Sequence, residues 1–276
     1  RRHTRFRNVT GVQTCALPIS QQWRLKKHAE RDFWEWMASW SRMAQSPEDL
    51  GFDGSRYVLP ALEVVRHRAA FGDLKPADGS LFAFEASATA IHDIKRQTAD
   101  NRADKVAELV ASEAAPWVVW CDTDYEADAL AARIPDAVEV RGSMPIERKE
   151  ENLAAFADGS ARVIITKPSV AGMGLNWQHC ARMAFAGRSF SYEAWYQAVR
   201  RCWRFGQKRE VECHIIVAEG EDQIGRVIDR KAEDHARMKR AMADAMRRAT
   251  TQNTRRLVDY EPRHKGRMPS WLKSAA

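Results

Sequence analysis

The sequence predicts an α/β fold: a parallel sheet sandwiched by helices, preceded by a helical segment and followed by a basic helix. Three observations carry this. From Pro116 onward, short apolar runs alternate with helical patterns, the signature of strand–helix–strand units. The run Trp117-Val118-Val119-Trp120-Cys121 is bounded by Pro116 and Asp122, as a strand buried on both faces would be. Pro145 sits near the first turn of a helical pattern, where a missing N–H costs nothing. The crossovers are expected to be right-handed.

The elements follow in chain order. Residues 21–44 read as a helix, with Phe33, Trp34, Met37, Trp40 and Met43 forming an aromatic-rich stripe. Ser46-Pro47-Glu48-Asp49 is a helix-start signal, followed by a loop over 51–55. Residues 57–65, interrupted by Pro60, read as an extended segment at a sheet edge. Residues 75–80 are a polar loop. Residues 86–112 form one or two helices with Ile91, Ile94, Val106, Leu109 and Val110 inward. Five strands are then expected, at 117–121, 138–140, 163–166, 183–186 and 211–217. Between them lie helices at 125–133, 145–157 and 191–204, and a long basic helix covers 222–248. The expected organisation is an inter-lobe region over 21–100, an α/β lobe over 101–224, and a basic helix and tail over 225–276.

Composition excludes several classes. The 276 residues carry 45% apolar and 29% charged side chains, against general disorder or a collagen-like fibre. No run approaches the ~18 apolar residues of a membrane span. Five cysteines without regular spacing argue against a disulfide scaffold, and no C-x-x-C offers zinc or redox chemistry. A cytoplasmic protein with reduced thiols is the expectation. The net charge of +7 is uneven: residues 1–20 hold four arginines and no acid, and residues 225–276 hold 14 Lys+Arg against 6 Asp+Glu. The body between them is net acidic.

Two clusters carry chemistry. The first is Val170-Ala171-Gly172-Met173-Gly174-Leu175-Asn176, after the third expected strand. Ligands of open α/β sheets bind beyond the carboxyl ends of strands, and glycine there lets backbone N–H groups approach a phosphate. A structural turn reads the same way. The second runs from Tyr196 to Gln207. Arg201 and Arg204 are three apart, which on a helix puts two always-charged guanidinium forks on one face, as a triphosphate would require. Arg200 and Arg204 share a face almost as well.

Together the clusters resemble the second RecA-like (P-loop NTPase-like) lobe, the helicase C-terminal domain, of superfamily 2 helicases and translocases. The look is nearest to the SNF2-like branch and to the helicase-like proteins of bacteriophages. The resemblance spans about residues 103–224. Trp117 to Thr123 is similar to motif IV. Val140-Arg141-Gly142-Ser143, with Arg148 and Phe156, is similar to the segment that follows it. Residues 163–176 are similar to motif V, and 197–207 to motif VI, where the family reads Q-A-x-x-R-x-x-R-x-G-Q. By this resemblance Arg201 and Arg204 are arginine fingers and Gln197 supports the nucleotide. Gly174 and Asn176 would link nucleotide to nucleic acid, and Thr123, Gly142, Ser143, Lys167, Ser169 and Gly172 would contact the nucleic acid. Three positions depart from the pattern: Ala171 stands for a glycine, Arg200 for an acid and Trp203 for a histidine. The Gly206-Gln207 ending favours the SNF2-like branch over the DEAD-box type.

The sequence contains no G-x-x-x-x-G-K-[ST] and no D-E-x-H-like strand end. The resemblance implies that ATP and Mg²⁺ are held mainly by a first lobe absent from this chain. The first twenty residues, RRHTRFRNVTGVQTCALPIS, resemble a translated sequencing adapter, which implies a fragment whose natural N-terminal part is missing. The implied partners are DNA and that first lobe, with no membrane. Three alternatives remain open: a nucleic-acid-binding module without nucleotide chemistry, a lobe of an RNA helicase, and, for residues 1–20, a basic arm. Asp122, Asp124, Glu126 and Asp128 read as a solvated helix N-terminus rather than a Mg²⁺ site. Cys121, Cys180, Cys202 and Cys213 read as buried small hydrophobes, and His179 beside Cys180 lacks metal spacing. Arg247, Arg248, Arg255, Arg256, Arg263, Lys265 and Arg267 could track phosphates, and Trp271-Leu272 could dock the tail.

Overall fold

The computed structural model describes residues 12–14, 23–25, 27–44, 46–69, 88–218 and 222–253. The loop expected at 75–80, most of the first twenty residues, the basic positions from Arg255 to Arg267 and Trp271-Leu272 lie outside the described residues. The elements in chain order are β1 (Val12–Thr14), β2 (Trp23–Leu25), α1 (Glu30–Trp40), β3 (Leu62–Arg68), α2 (Ala88–Gln97), α3 (Ala99–Ala111), β4 (Trp117–Trp120), α4 (Asp124–Arg133), β5 (Val138–Val140), α5 (Ile146–Ala157), β6 (Val163–Thr166), α6 (Pro168–Ala171), β7 (Arg182–Phe185), α7 (Tyr192–Val199), β8 (Val211–Val217) and α8 (Asp222–Asn253).

One compact unit spans Gly54–Ala236. It holds a six-stranded sheet in the order β3-β8-β7-β4-β6-β5, with every pairing parallel. Strand alternation divides the core. Val118 and Trp120, Ile164, Met183 and Phe185 point to one face, where Phe156 of α5, Ala171 of α6, and Ala198 and Val199 of α7 cover them. Trp117 and Val119, Val163 and Ile165, and Ala184 point to the other, covered by Ala103, Val106 and Val110 of α3 and Ala127 and Leu130 of α4. All four β4 side chains are buried, as a central strand between two helical layers requires. The α/β expectation is borne out.

The sheet has six strands rather than the expected five. The extended segment read over 57–65 is a short 3₁₀ turn at Ser55–Tyr57 followed by β3, which pairs along its whole length with β8 from Leu62↔Val211 to Arg68↔Val217. Its pattern is half-exposed, as an edge strand's is, and it lies at the edge of the sheet as the extended segment was expected to. The helical stretch before β4 is two helices, meeting at Thr98.

The second unit comprises Arg1–Asp53 and Arg237–Ala276. In it β1 pairs antiparallel with β2. Ala38 of α1 packs with Met242, Ala245 and Met246 of α8, flanked by Trp34, Met37 and Met43. Thus part of the aromatic-rich stripe is core, while its Trp40 is exposed, in edge-to-face contact at 5.3 Å with the exposed Trp36 outside the stripe. The Ser46 signal starts a single 3₁₀ turn, Pro47–Leu50, closed by a capping box with Asp49.

Candidate functional site

The sheet places the singled-out residues in two groups. Thr123, Gly142 and Ser143, and Lys167 and Ser169 all follow the carboxyl ends of strands: β4, β5 and β6 respectively. This is the edge where open parallel sheets bind ligands. Gly142, Ser143 and Ser169 are exposed. The Lys167 ammonium is held 2.8 Å from Asp124 Oδ1. Thr123 is half-buried at the start of α4, with its hydroxyl oxygen covered. Gly172 is buried and caps α6.

The four carboxylates after β4 are dispersed rather than gathered. Asp122 pairs with Lys95 at 2.6 Å, Asp124 with Lys167, and Asp128 with Arg141 at 2.6 Å. Glu126 departs from the expected solvated helix start: it is buried and pairs with the fully buried Arg102 at 2.8 Å. Its Oε2 accepts from the Asp122 and Thr123 N–H groups at 2.8 and 3.0 Å. Burial pushes this carboxyl up, but the Arg102 charge, the Asp122 N–H and Lys95 together outweigh it and leave it below its ordinary value. Among the described residues, no group of three or more His, Cys, Asp or Glu side chains could hold a metal ion. No described helix is long and apolar enough to cross a membrane.

The second group lies where the chain enters β7 and leaves α7. The helix expected over 191–204 ends at Val199, with Arg200 as its C-cap. Arg201 and Arg204 therefore sit in successive turns, not on a helix face. Their convergence comes from tertiary contacts instead. The Arg201 and Arg204 Nη1 atoms both donate to the Leu175 carbonyl, at 2.9 and 3.2 Å. Arg201 Nε donates to the Gln197 carbonyl at 3.0 Å, and its Nη2 to Gln197 Oε1 at 3.4 Å. The Trp177 N–H returns a bond to the Arg201 carbonyl at 3.0 Å. Gly174, at φ +78°, makes the left-handed turn that presents Leu175, a conformation costly to any side chain with a Cβ. Asn176 beside it is exposed.

No carboxylate among the described residues pairs with Arg200, Arg201 or Arg204. Arg200 lies over the Trp203 ring at 5.3 Å, and the Trp203 indole donates to the Pro60 carbonyl at 2.8 Å. Burial, then the charges of Arg204 and Arg200, hold the Arg201 guanidinium below its ordinary value. Mutual repulsion of this kind is relieved by an anion.

Two residues hold these groups in place: Gln207, which closes the second sequence cluster, and Arg102, which the sequence reading did not single out. Gln207 is buried: its amide nitrogen donates to the Gln178 and Cys180 carbonyls, both at 2.9 Å, and its Oε1 accepts from the Lys208 and Arg209 N–H groups at 3.0 Å. It ties the arginine turn to the chain entering β7. Arg102 does the same at the carboxyl edge, donating to the Lys95 carbonyl at 2.6 Å and to the Ala186 carbonyl. The signal for Arg102 was a charged residue four before Val106, on the apolar face of α3.

Residues 101–206, less than half of the chain, match the family described as helicase conserved C-terminal domain. Among solved structures, the C-terminal part of the Fun30 ATPase domain is 16% identical, covering 46% of this chain and 45% of that one, with a TM-score of 0.42. The chain thus spans less than half the length of that relative. The C-terminal domain of the DEAD-box protein Dbp5 is 15% identical, covering 49% of this chain and 79% of that one at a TM-score of 0.43. A DEAD box protein from the hyperthermophile Methanococcus jannaschii is 18% identical, covering 49% and 37% at a TM-score of 0.43. No curated protein matches the chain.

Proposed function

We propose that this chain, with its match to the helicase conserved C-terminal domain, supplies the second RecA-like lobe of an ATP-dependent, SNF2-like DNA helicase or translocase. The observation that carries this is the convergence of Arg201 and Arg204 on the Leu175 carbonyl, directly after the Gly174 turn, with no carboxylate among the described residues to neutralise them. Fixed guanidinium forks free of acids suit a triphosphate. The donor set fits ATP phosphate oxygens but not Mg²⁺, because each carboxylate after β4 is already paired with a cation. A partner lobe carrying a P-loop would therefore hold the MgATP. In this reading Gln197 orients Arg201, and Arg201 and Arg204 meet charge developing on the transferred phosphoryl group. An arginine finger contributes roughly 10³–10⁵ in rate. The residues after β4, β5 and β6 contact the nucleic-acid backbone, so closing and reopening of two lobes would move the protein along a strand.

The test is ATP turnover with DNA, by the chain alone and by the chain joined to a P-loop lobe. The chain alone should be inactive and the joined protein active. Arg204→Ala in the joined protein should abolish turnover while sparing ATP binding. Turnover by the chain alone would overturn the two-lobe reading. Stronger stimulation by RNA than by DNA would move the assignment to an RNA helicase lobe.

A further inference from the structure

A hollow of about 100 Å³ opens at the carboxyl ends of β4, β6 and β7, against the start of α7. Asp122, Ser169, Ser189 and Ser191 line it together with the rings of Phe185 and Trp195. A single pyrimidine base has about this volume. Of the residues lining the hollow, the resemblance assigns a nucleic-acid contact to Lys167 and Ser169 alone.

The charges of Lys167 and Asp122 are already met. The Lys167 ammonium is held by Asp124, and Asp122 Oδ2 accepts from Lys95 at 2.6 Å. The hollow therefore suits a neutral, flat group with a polar edge better than another phosphate. Phe185 and Trp195 offer ring surface on which a base can pack. The Ser191 hydroxyl oxygen accepts from the Ala194 N–H at 3.1 Å, and the Ser189 hydroxyl oxygen accepts from the Ser191 N–H at 3.3 Å. Neither hydroxyl donates a hydrogen bond among the described residues, so both protons are available to the acceptors of a base. Lys95 fixes the Asp122 carboxylate by one oxygen, and Oδ1 accepts no hydrogen bond among the described residues. A fixed carboxylate oxygen takes the N4 amino group of cytosine, whereas thymine turns the carbonyl oxygen O4 to the same place and is repelled.

We propose that this hollow receives one unstacked pyrimidine base, cytosine in preference to thymine, from a strand whose backbone lies over the exposed Ser169. The proposal rests on the nucleic-acid reading above. It adds selection of a base to contacts that otherwise read only phosphates. Unstacking costs least where the strand is already single.

The test is fluorescence anisotropy on the whole chain with three end-labelled strands of equal length: oligodeoxycytidylate, oligothymidylate and an abasic strand of the same backbone. Oligodeoxycytidylate should bind on the order of tenfold more tightly than the abasic strand, with oligothymidylate between them. Ala194→Leu, which fills the hollow from α7, should weaken oligodeoxycytidylate and leave the abasic strand unchanged. Asp122→Ala should erase the preference for cytosine over thymine, and Ala194→Leu carries the test should that variant not fold. A strand bearing one 5-iodocytosine should photocrosslink to the tryptic peptide 189–200 in wild type and not in Ala194→Leu. If the abasic strand binds as tightly as oligodeoxycytidylate, or if Ala194→Leu weakens both alike, the proposal is overturned and the nucleic-acid reading stands. Tighter binding of oligothymidylate than of oligodeoxycytidylate overturns the proposal as well. If wild type binds no strand, the nucleic-acid reading falls with it.

Discussion

Arg102 has no exposed surface, and its charge is met by Glu126 and by carbonyl groups rather than by water. A buried pair is costly to form, yet removing one partner is costlier still, because the other charge stays buried and alone. Arg102→Met should therefore destabilise the chain by about 3–5 kcal/mol in urea unfolding. Close approach makes the neighbourhood intolerant too: a Cβ at Gly187 would collide with the Glu126 carboxylate. The cysteines behave as expected. Cys121, Cys180, Cys202 and Cys213 are buried, and burial pushes the Cys121 and Cys213 thiols up to about 12. The thiolate is the reactive form. A Cys15→Ser variant should then resist alkylation by iodoacetamide at pH 8 until denaturant is added, when four thiols label. Sequence spacing predicted buried cysteines, but not that Glu126 would be drawn inside. The partner that draws it lies on another helix.

Edge strand β3 depends on a pair of imidazoles. His67 Nε2 and His214 Nδ1 are 2.9 Å apart, and Trp117 lies against His214. Burial, followed by the His214 charge and then Lys105, holds His67 below its ordinary value, with Glu108 opposing. Burial also holds His214 down; Glu212 and Glu113 pull it up and Arg182 pushes it lower. A histidine with a depressed folded pKa contributes stability that is complete above the unfolded value, roughly 6.5, and is lost as pH falls through the folded value. The thermal midpoint should fall from pH 7.5 to pH 5.5, and His67→Asn should shrink that fall. Gln207 is the corresponding staple of the arginine turn. Its replacement by alanine leaves buried carbonyls unpaired and should cost about 1–3 kcal/mol. The helix expected over 191–204 stops at Val199 for a related reason. Its apolar pattern is helical to Val199, but the turn beyond is closed by Trp177, Pro60 and Leu175, which are distant in sequence.

At the scale of the molecule, overall basicity explains little, since the body is net acidic and the cations that matter are placed individually. Helix α8 is more than a basic appendage. Ile224 and Ile228 pack with Tyr192 and Trp195, and His235 Nδ1 lies 3.1 Å from the Tyr192 hydroxyl. Truncation at Gly225 should therefore lower the thermal midpoint as well as any nucleic-acid affinity, so loss of binding in that truncation would not by itself locate the binding surface. The sequence by itself determined the parallel α/β sheet, the strands at 138–140, 163–166 and 211–217, the burial of Cys121, Cys180, Cys202 and Cys213, and the two clusters of glycines and arginines. Each is a local property: an apolar run, a turn residue, a spacing. Only the tertiary structure decided that β3 pairs with β8, that Arg201 and Arg204 meet at one carbonyl, and that Arg66, Arg188 and Arg226 share a hollow. Those facts rest on contacts between segments far apart in the chain, and no local periodicity encodes which distant backbone groups a side chain will find.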